Sequence, residues 1–242
     1  SRGLGDVYKR QMSMLLILLM VYRLPTYLSG ILSLAMIGGI VATGLYYWYT
    51  ALLLIGYQND YFAKDGVLQS VVEESLNKNE VLANTTSLME NHVNNFGLII
   101  ATPIVFTEDY KELDNPIGIL KVCQDLGAFQ ANSSGSDLIG DFDQWANLIT
   151  VVPGKTGLNA FSNTDVERLL KDKNINTVVI AGVVTSACID SSARSASEKG
   201  FEVIVLSDCT AGRNNFEQEF YCNDIFPMFA HVKSSKELHI VD

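Results

Sequence analysis

Basic side chains are scarce in this chain: 17 Lys and Arg stand against 27 Asp and Glu over 242 residues, a formal net charge of −10. Such a surface repels phosphate backbones, which excludes nucleic acid as a partner class. Cysteine is scarce as well. Cys123, Cys188, Cys209 and Cys222 are the only four, and none forms a C-x-x-C pair. That excludes a disulfide framework, a zinc ribbon and a thioredoxin-type redox pair. The three histidines (His92, His231 and His239) lie far apart with no H-E-x-x-H or H-x-H spacing. No metal and no cofactor is expected from such a set.

Charge is also missing locally. From Leu24 to Tyr57 there is no charged residue. Residues 1–11, SRGLGDVYKRQ, resemble a translated sequencing adapter and are set apart from the fold as a read-through artefact. Residues 12–49 are then expected to form a membrane anchor. The stretch from Tyr27 to Tyr49 has about the 20 residues that a spanning helix needs, and LYYWY at its end supplies interfacial aromatics. The expected product is a single-pass, membrane-anchored protein with its side of the membrane unspecified. If the apolar segment is itself an assembly artefact, a soluble cytoplasmic domain is expected instead.

What is present from residue 50 onward is an alternation. The apolar runs 51–57, 97–107, 147–152, 177–184 and 201–208 read as buried strands. Helical stretches are expected over much of 67–95, then over 116–129, 163–173, 187–199 and 214–229. An Asn or Thr caps the start of the third, and Gly200 ends the fourth. Strands apolar on both faces and alternating with helices predict an α/β domain over residues 50–242. Its form would be a Rossmann-like three-layer sandwich around a mostly parallel sheet. Ligands in such folds bind beyond the carboxyl ends of the strands, so chemistry is sought just after each apolar run.

Two residues stand there. Cys188 follows the run 177–184, where a helix begins. A thiol at a helix N-terminus meets unpaired N–H groups and the positive end of the dipole, which favour the thiolate. Lys155 follows the run 147–152 in a Pro-Gly turn, and a lysine beside a thiol can hold the thiolate and move its proton. Each alone also reads as ordinary structure, a buried thiol or a solvated turn lysine.

Three stretches, ALLLIGYQNDYF (51–62), GKTGLNAFSNTDVERLL (154–170) and TVVIAGVVTSACIDSSARSASEKGFEVIVLSDCTAG (177–212), resemble the isochorismatase-like cysteine hydrolase superfamily. That superfamily includes nicotinamidases, N-carbamoylsarcosine amidohydrolases and ureidoacrylate-type amidohydrolases. The resemblance implies Cys188 as nucleophile and Lys155 as catalytic lysine. It implies a cis peptide between Val183 and Val184, and the backbone amides of Val184 and Cys188 as an oxyanion hole. Tyr61 and Phe161 match positions that wall the substrate pocket, or else belong to the core. A homo-oligomer is expected on the same ground.

The chain departs from the family at one point. The opening motif would read D-x-Q-N-D-F, and Gly56 stands where the proton-accepting aspartate belongs. Asp60, four residues on, matches a structural aspartate. The histidine-bearing metal cluster of nicotinamidases has no counterpart in 107–145. The expected function is hydrolysis of a small amide or ureido C–N bond through a Cys188 thioester. The alternative is a catalytically impaired domain, tethered at a membrane, that binds a ligand or partner. A strand end carrying glycine is expected to accept Gly56→Asp.

Overall fold

The computed structural model describes residues 50–238. The stretches read as adapter (1–11) and anchor (12–49) lie outside the described residues. Among the described residues, no helix is long and apolar enough to cross a membrane.

The described residues open with β1 (Thr50–Ile55), a one-turn α1 (Asn59–Phe62), α2 (Gln69–Lys78) and α3 (Val81–His92). It continues through β2 (Leu98–Thr102), α4 (Gly118–Leu126), β3 (Ile149–Val151), α5 (Val166–Asp172) and β4 (Thr177–Val183). A π-helical turn over Thr185–Ile189 leads into α6 (Asp190–Glu198). Then come β5 (Glu202–Ala211), α7 (Asn215–Phe220) and a short β6 (His231–Lys233).

All six strands pair in parallel, in the order β3-β2-β1-β4-β5-β6. Parallel ladders with helical crossovers bury both faces of the sheet, and the side chains of β1 divide accordingly. Ala51, Leu53 and Ile55 join one hydrophobic cluster with Val72 of α2, Cys123 of α4, Leu170 of α5 and Ala193 of α6. Leu52 and Leu54 join a second with Leu88 and Met89 of α3, Phe142 and Trp145. The strand order reverses between β1 and β4, and the crevice outside their carboxyl ends is where such sheets hold ligands.

Several boundaries differ from the sequence expectation. The strand over 97–107 stops at Thr102 because Pro103 has no N–H to continue the ladder. The helix over 67–95 is two helices, broken at Glu80, which takes a left-handed φ of 49°. Asn84 Nδ2 donates to the Asn79 carbonyl there at 2.8 Å, giving the backbone a partner other than the next helical turn. The helix over 163–173 begins only at Val166, with Asp165 rather than Asn or Thr at its N-cap. Thr164 Oγ1 instead donates to the Ala160 carbonyl at 2.6 Å. The last helix ends at Phe220 and passes through a π turn and a single 3-10 turn containing Pro227. β5 runs on to Ala211, and its register against β4 shifts between Ile180 and Gly182.

Candidate active site

The end of β1 is built from amide and carboxylate groups that brace loops. Gln58 is fully buried. Its Nε2 donates to the carbonyls of Ile104 and Ser136, both at 2.8 Å, and its Oε1 accepts from the Ile104 N–H at 2.9 Å. Asn59 Nδ2 donates to the Ser134 carbonyl at 2.8 Å, and Asp60 Oδ2 accepts from the Phe129 N–H at 2.6 Å. The three side chains therefore tie the first strand to the segments after β2 and α4, and Asp60 is occupied in that work. Gly56, which precedes them, has φ +73°, and a Cβ on it would stand 2.7 Å from the Val183 carbonyl oxygen. The expectation that this strand end accepts an aspartate is therefore corrected. The backbone is left-handed there, and the next strand's carbonyl fills the space.

Lys155 reaches the crevice from the next strand but one. After β3 the N–H of Val152 donates to the Ala101 carbonyl at 2.9 Å, and Lys155 pairs with Ile104 in an isolated parallel bridge. Between them Gly154 has φ +102°, and a Cβ there would lie 2.4 Å from the Asn163 carbonyl. The Pro-Gly turn thus swings the lysine inward, where it is 1% exposed.

Cys188 enters from the far side of the reversal point. The Val183–Val184 peptide is cis, and the chain then enters the π turn, with the Val184 carbonyl accepting from Ala187 N at 3.0 Å and from Ile189 N at 3.2 Å. Thr185 Oγ1 hydrogen-bonds Gln218 Oε1, and Gln218 Nε2 in turn donates to the Ser207 carbonyl and to Thr210 Oγ1, both at 3.0 Å. Ser192 Oγ in α6 accepts from Ala160 N at 2.9 Å, which couples the cysteine's helix to the lysine's loop. Cys188 is 3% exposed, and Lys155 Nζ lies 3.5 Å from its sulfur.

Two more groups feel that pair. The Tyr61 phenol is pushed well above its usual range by burial, then by the charges of Cys188, Cys123 and Asp60. Cys123, on α4, is pushed up to about 12 by burial and by Cys188, with Lys155 acting in the opposite direction. Tyr61 packs its ring 5.3 Å from Phe129, and Phe161 lies 6.3 Å from Phe201. Neither lines the cavities described next. Among the described residues, no three His, Cys, Asp or Glu side chains converge as a metal-binding group.

A cavity of about 180 Å³ abuts the cysteine's turn, lined by Val71, Ile119, Val184, Ser186, Ala187 and Arg213. A second, of about 420 Å³, shares Ser186 and Arg213 and is walled by Phe216, Phe220 and Tyr221. Arg213 and Gln218 are not among the residues that the sequence motifs single out. The signal for them is the helix start after β5, where the Asn214 side chain caps the Glu217 N–H at 2.8 Å and so fixes both neighbours.

The isochorismatase domain model matches residues 50–237. An isochorismatase family protein of Escherichia coli, YecD, is 33% identical over 79 residues, covering 33% of this chain and 42% of that protein. The maleamate amidohydrolase of Pseudomonas putida is 34% identical over 87 residues, covering 36% of this chain and 41% of that enzyme. The chain thus aligns with less than half the length of these two relatives. The crystal structure of an isochorismatase family protein from Desulfovibrio vulgaris superposes with a TM-score of 0.65 at 22% identity, covering 78% of this chain and 96% of that one.

Proposed function

The chain belongs to the isochorismatase family, and we propose from that premise that it hydrolyses the C–N bond of a small amide with Cys188 as nucleophile. The observation that carries this reading is the buried contact of Lys155 Nζ with Cys188 Sγ at 3.5 Å, beside the point where strand order reverses. The maleamate amidohydrolase among the relatives supports an amide as substrate.

In this reading sulfur attacks the carbonyl carbon while the Lys155 amine takes the thiol proton. The amides of Val184 and Cys188 stabilise the oxyanion. The C–N bond breaks as Lys155 returns the proton to nitrogen, releasing ammonia or an amine and leaving an acyl thioester. Water then adds to the thioester carbonyl, with Lys155 taking its proton and passing it to the departing sulfur. Gly56 offers no side chain, so proton transfer in both half-reactions falls on Lys155.

A second reading is favoured by two observations: Gly56 stands where the family resemblance calls for an acid, and Cys188 is 3% exposed without lining either cavity. In it the domain binds a ligand without turning it over. Trapping separates the two. The full-length protein is quenched during incubation with maleamate and mapped by mass spectrometry. The expected result is the acyl mass on the Cys188 peptide alone, with ammonia released. A folded protein that gives neither adduct nor ammonia with a panel of amides and ureido acids overturns the hydrolase reading.

A further inference from the structure

The cavity beside the cysteine's turn, at about 180 Å³, is smaller than the roughly 300–1,000 Å³ of most small-molecule sites. It does not end there. Ser186 and Arg213 line both it and the outer cavity of about 420 Å³, so the two meet at those residues. The walls differ in chemistry. The inner cavity presents Val71, Ile119, Val184 and Ala187, while the outer presents Phe216, Phe220 and Tyr221. Phe216 is 77% exposed and Phe220 43%, and their rings stack at 6.1 Å with 7° between planes. Large aromatic rings held open to solvent in a concave wall are a stacking surface for an apolar group.

Arg213 stands at the junction. Its Nε donates to Glu217 Oε2 at 2.6 Å and its backbone N–H to Glu217 Oε1 at 3.1 Å. Glu217 is buried and capped by Asn214, so the guanidinium is held in place from behind. Among the described residues the Nη1 and Nη2 donors carry no hydrogen bond, and a planar fork of unengaged N–H groups matches a carboxylate.

We infer that the substrate is an amide carrying both an acid group, received by Arg213, and an aromatic or bulky apolar substituent, received by Phe216, Phe220 and Tyr221. This rests on the hydrolase reading for the reaction, though not for the binding. Arg213 and Phe216 are specificity residues that set affinity, since neither touches the sulfur.

Three probes test it with the full-length protein: succinamate (acid, no ring), 3-phenylpropionamide (ring, no acid) and 2-benzylsuccinamate (both). KM for 2-benzylsuccinamate is expected to be at least tenfold below that for either of the others. Phe216→Ala should reduce the kcat/KM ratio of 2-benzylsuccinamate to succinamate about fivefold, through KM. Arg213→Lys, which keeps the charge beside Glu217 but loses the fork, should raise KM for both acids relative to 3-phenylpropionamide. Calorimetric Kd values on Cys188→Ser protein repeat the ranking without turnover. The same ranking in Kd with no hydrolysis by the unmutated protein would sink the hydrolase reading and leave this one standing. Turnover or binding of succinamate equal to that of 2-benzylsuccinamate, or insensitivity of the ranking to Phe216→Ala and Arg213→Lys, overturns it.

Discussion

The carboxyl ends of β1 and β4 are neighbours across the same crevice, yet their polar groups are used in opposite ways. At β1, Gln58, Asn59 and Asp60 spend their hydrogen-bonding capacity on backbone groups of two segments, after β2 and after α4, and the residue before them at the strand end, Gly56, has no side chain at all. At β4, the buried thiol of Cys188 meets one buried amine, that of Lys155. Buried polar groups in proteins are satisfied by hydrogen bonds to the backbone far more often than by one another. The β1 end follows that rule and is architecture. The β4 end departs from it, and two nucleophilic groups held together away from solvent are the ground on which we propose a chemical use for the pair.

The largest effect that sharpens this contrast is on rate. Lys155→Met keeps an unbranched chain in a buried slot and removes the only group of the pair able to carry a proton for sulfur. Turnover of a competent amide should fall by about 10²–10⁴-fold, the usual worth of general acid–base help, while the unfolding transition in urea stays cooperative. A loss below tenfold would move proton transfer to another group and blur the line between the two strand ends.

Next comes a substitution at the architectural end. Gly56→Asp forces a side chain onto a left-handed residue, at a cost of about 1–2 kcal/mol, and drives Cβ to within 2.7 Å of the Val183 oxygen. The expected total is about 2–3 kcal/mol of lost stability in urea unfolding, with no gain in turnover. A variant as stable as the parent and tenfold faster would mean that β1 had lost an acid it can still accommodate, and the contrast would collapse.

How much of this was legible in the sequence follows from the same physics. β1, β4 and β5 declared themselves because both faces of a central parallel strand are buried, so each carries a continuous apolar run: 51–55, 178–183 and 203–206. β6 did not, being three residues at an edge with exposed and half-buried side chains. The break at Glu80 was hidden because no Gly or Pro marks it; side-chain hydrogen bonds of Asn residues make it instead. Cys188 and Lys155 were separately visible as strand-end residues, but their contact joins positions 33 apart and was legible only through the family motifs. Gly56 could be seen to lack a carboxylate. That its neighbour's carbonyl occupies the space could not be seen, because the obstruction comes from β4, more than a hundred residues downstream.

The smallest effect concerns Cys123, which lies on the reactive side without belonging to the dyad. Its thiol is pushed up to about 12, chiefly by burial and secondarily by Cys188, against an ordinary value of 9.0. An acid whose folded pKa is raised stays protonated in the native state while the unfolded chain ionises. The native state is therefore unaffected below pH 9.0 and loses stability as pH rises from there toward about 12. The slope is about 1.4 kcal/mol per pH unit for one such thiol. Cys209 and Cys222, also raised to about 12 by burial, add their own. Urea unfolding of Cys123→Ala at pH 8, 9 and 10 should show a decline shallower than the parent's by that single-thiol slope above pH 9, whatever constant offset the missing sulfur introduces. Cys188→Ala should leave most of the Cys123 contribution in place, because burial outweighs the neighbouring charge. If Cys188→Ala instead flattens the decline as far as Cys123→Ala does, charge rather than burial holds the Cys123 proton. The reactive set would then include a second thiol, and the β4 side of the crevice would be a triad rather than a pair.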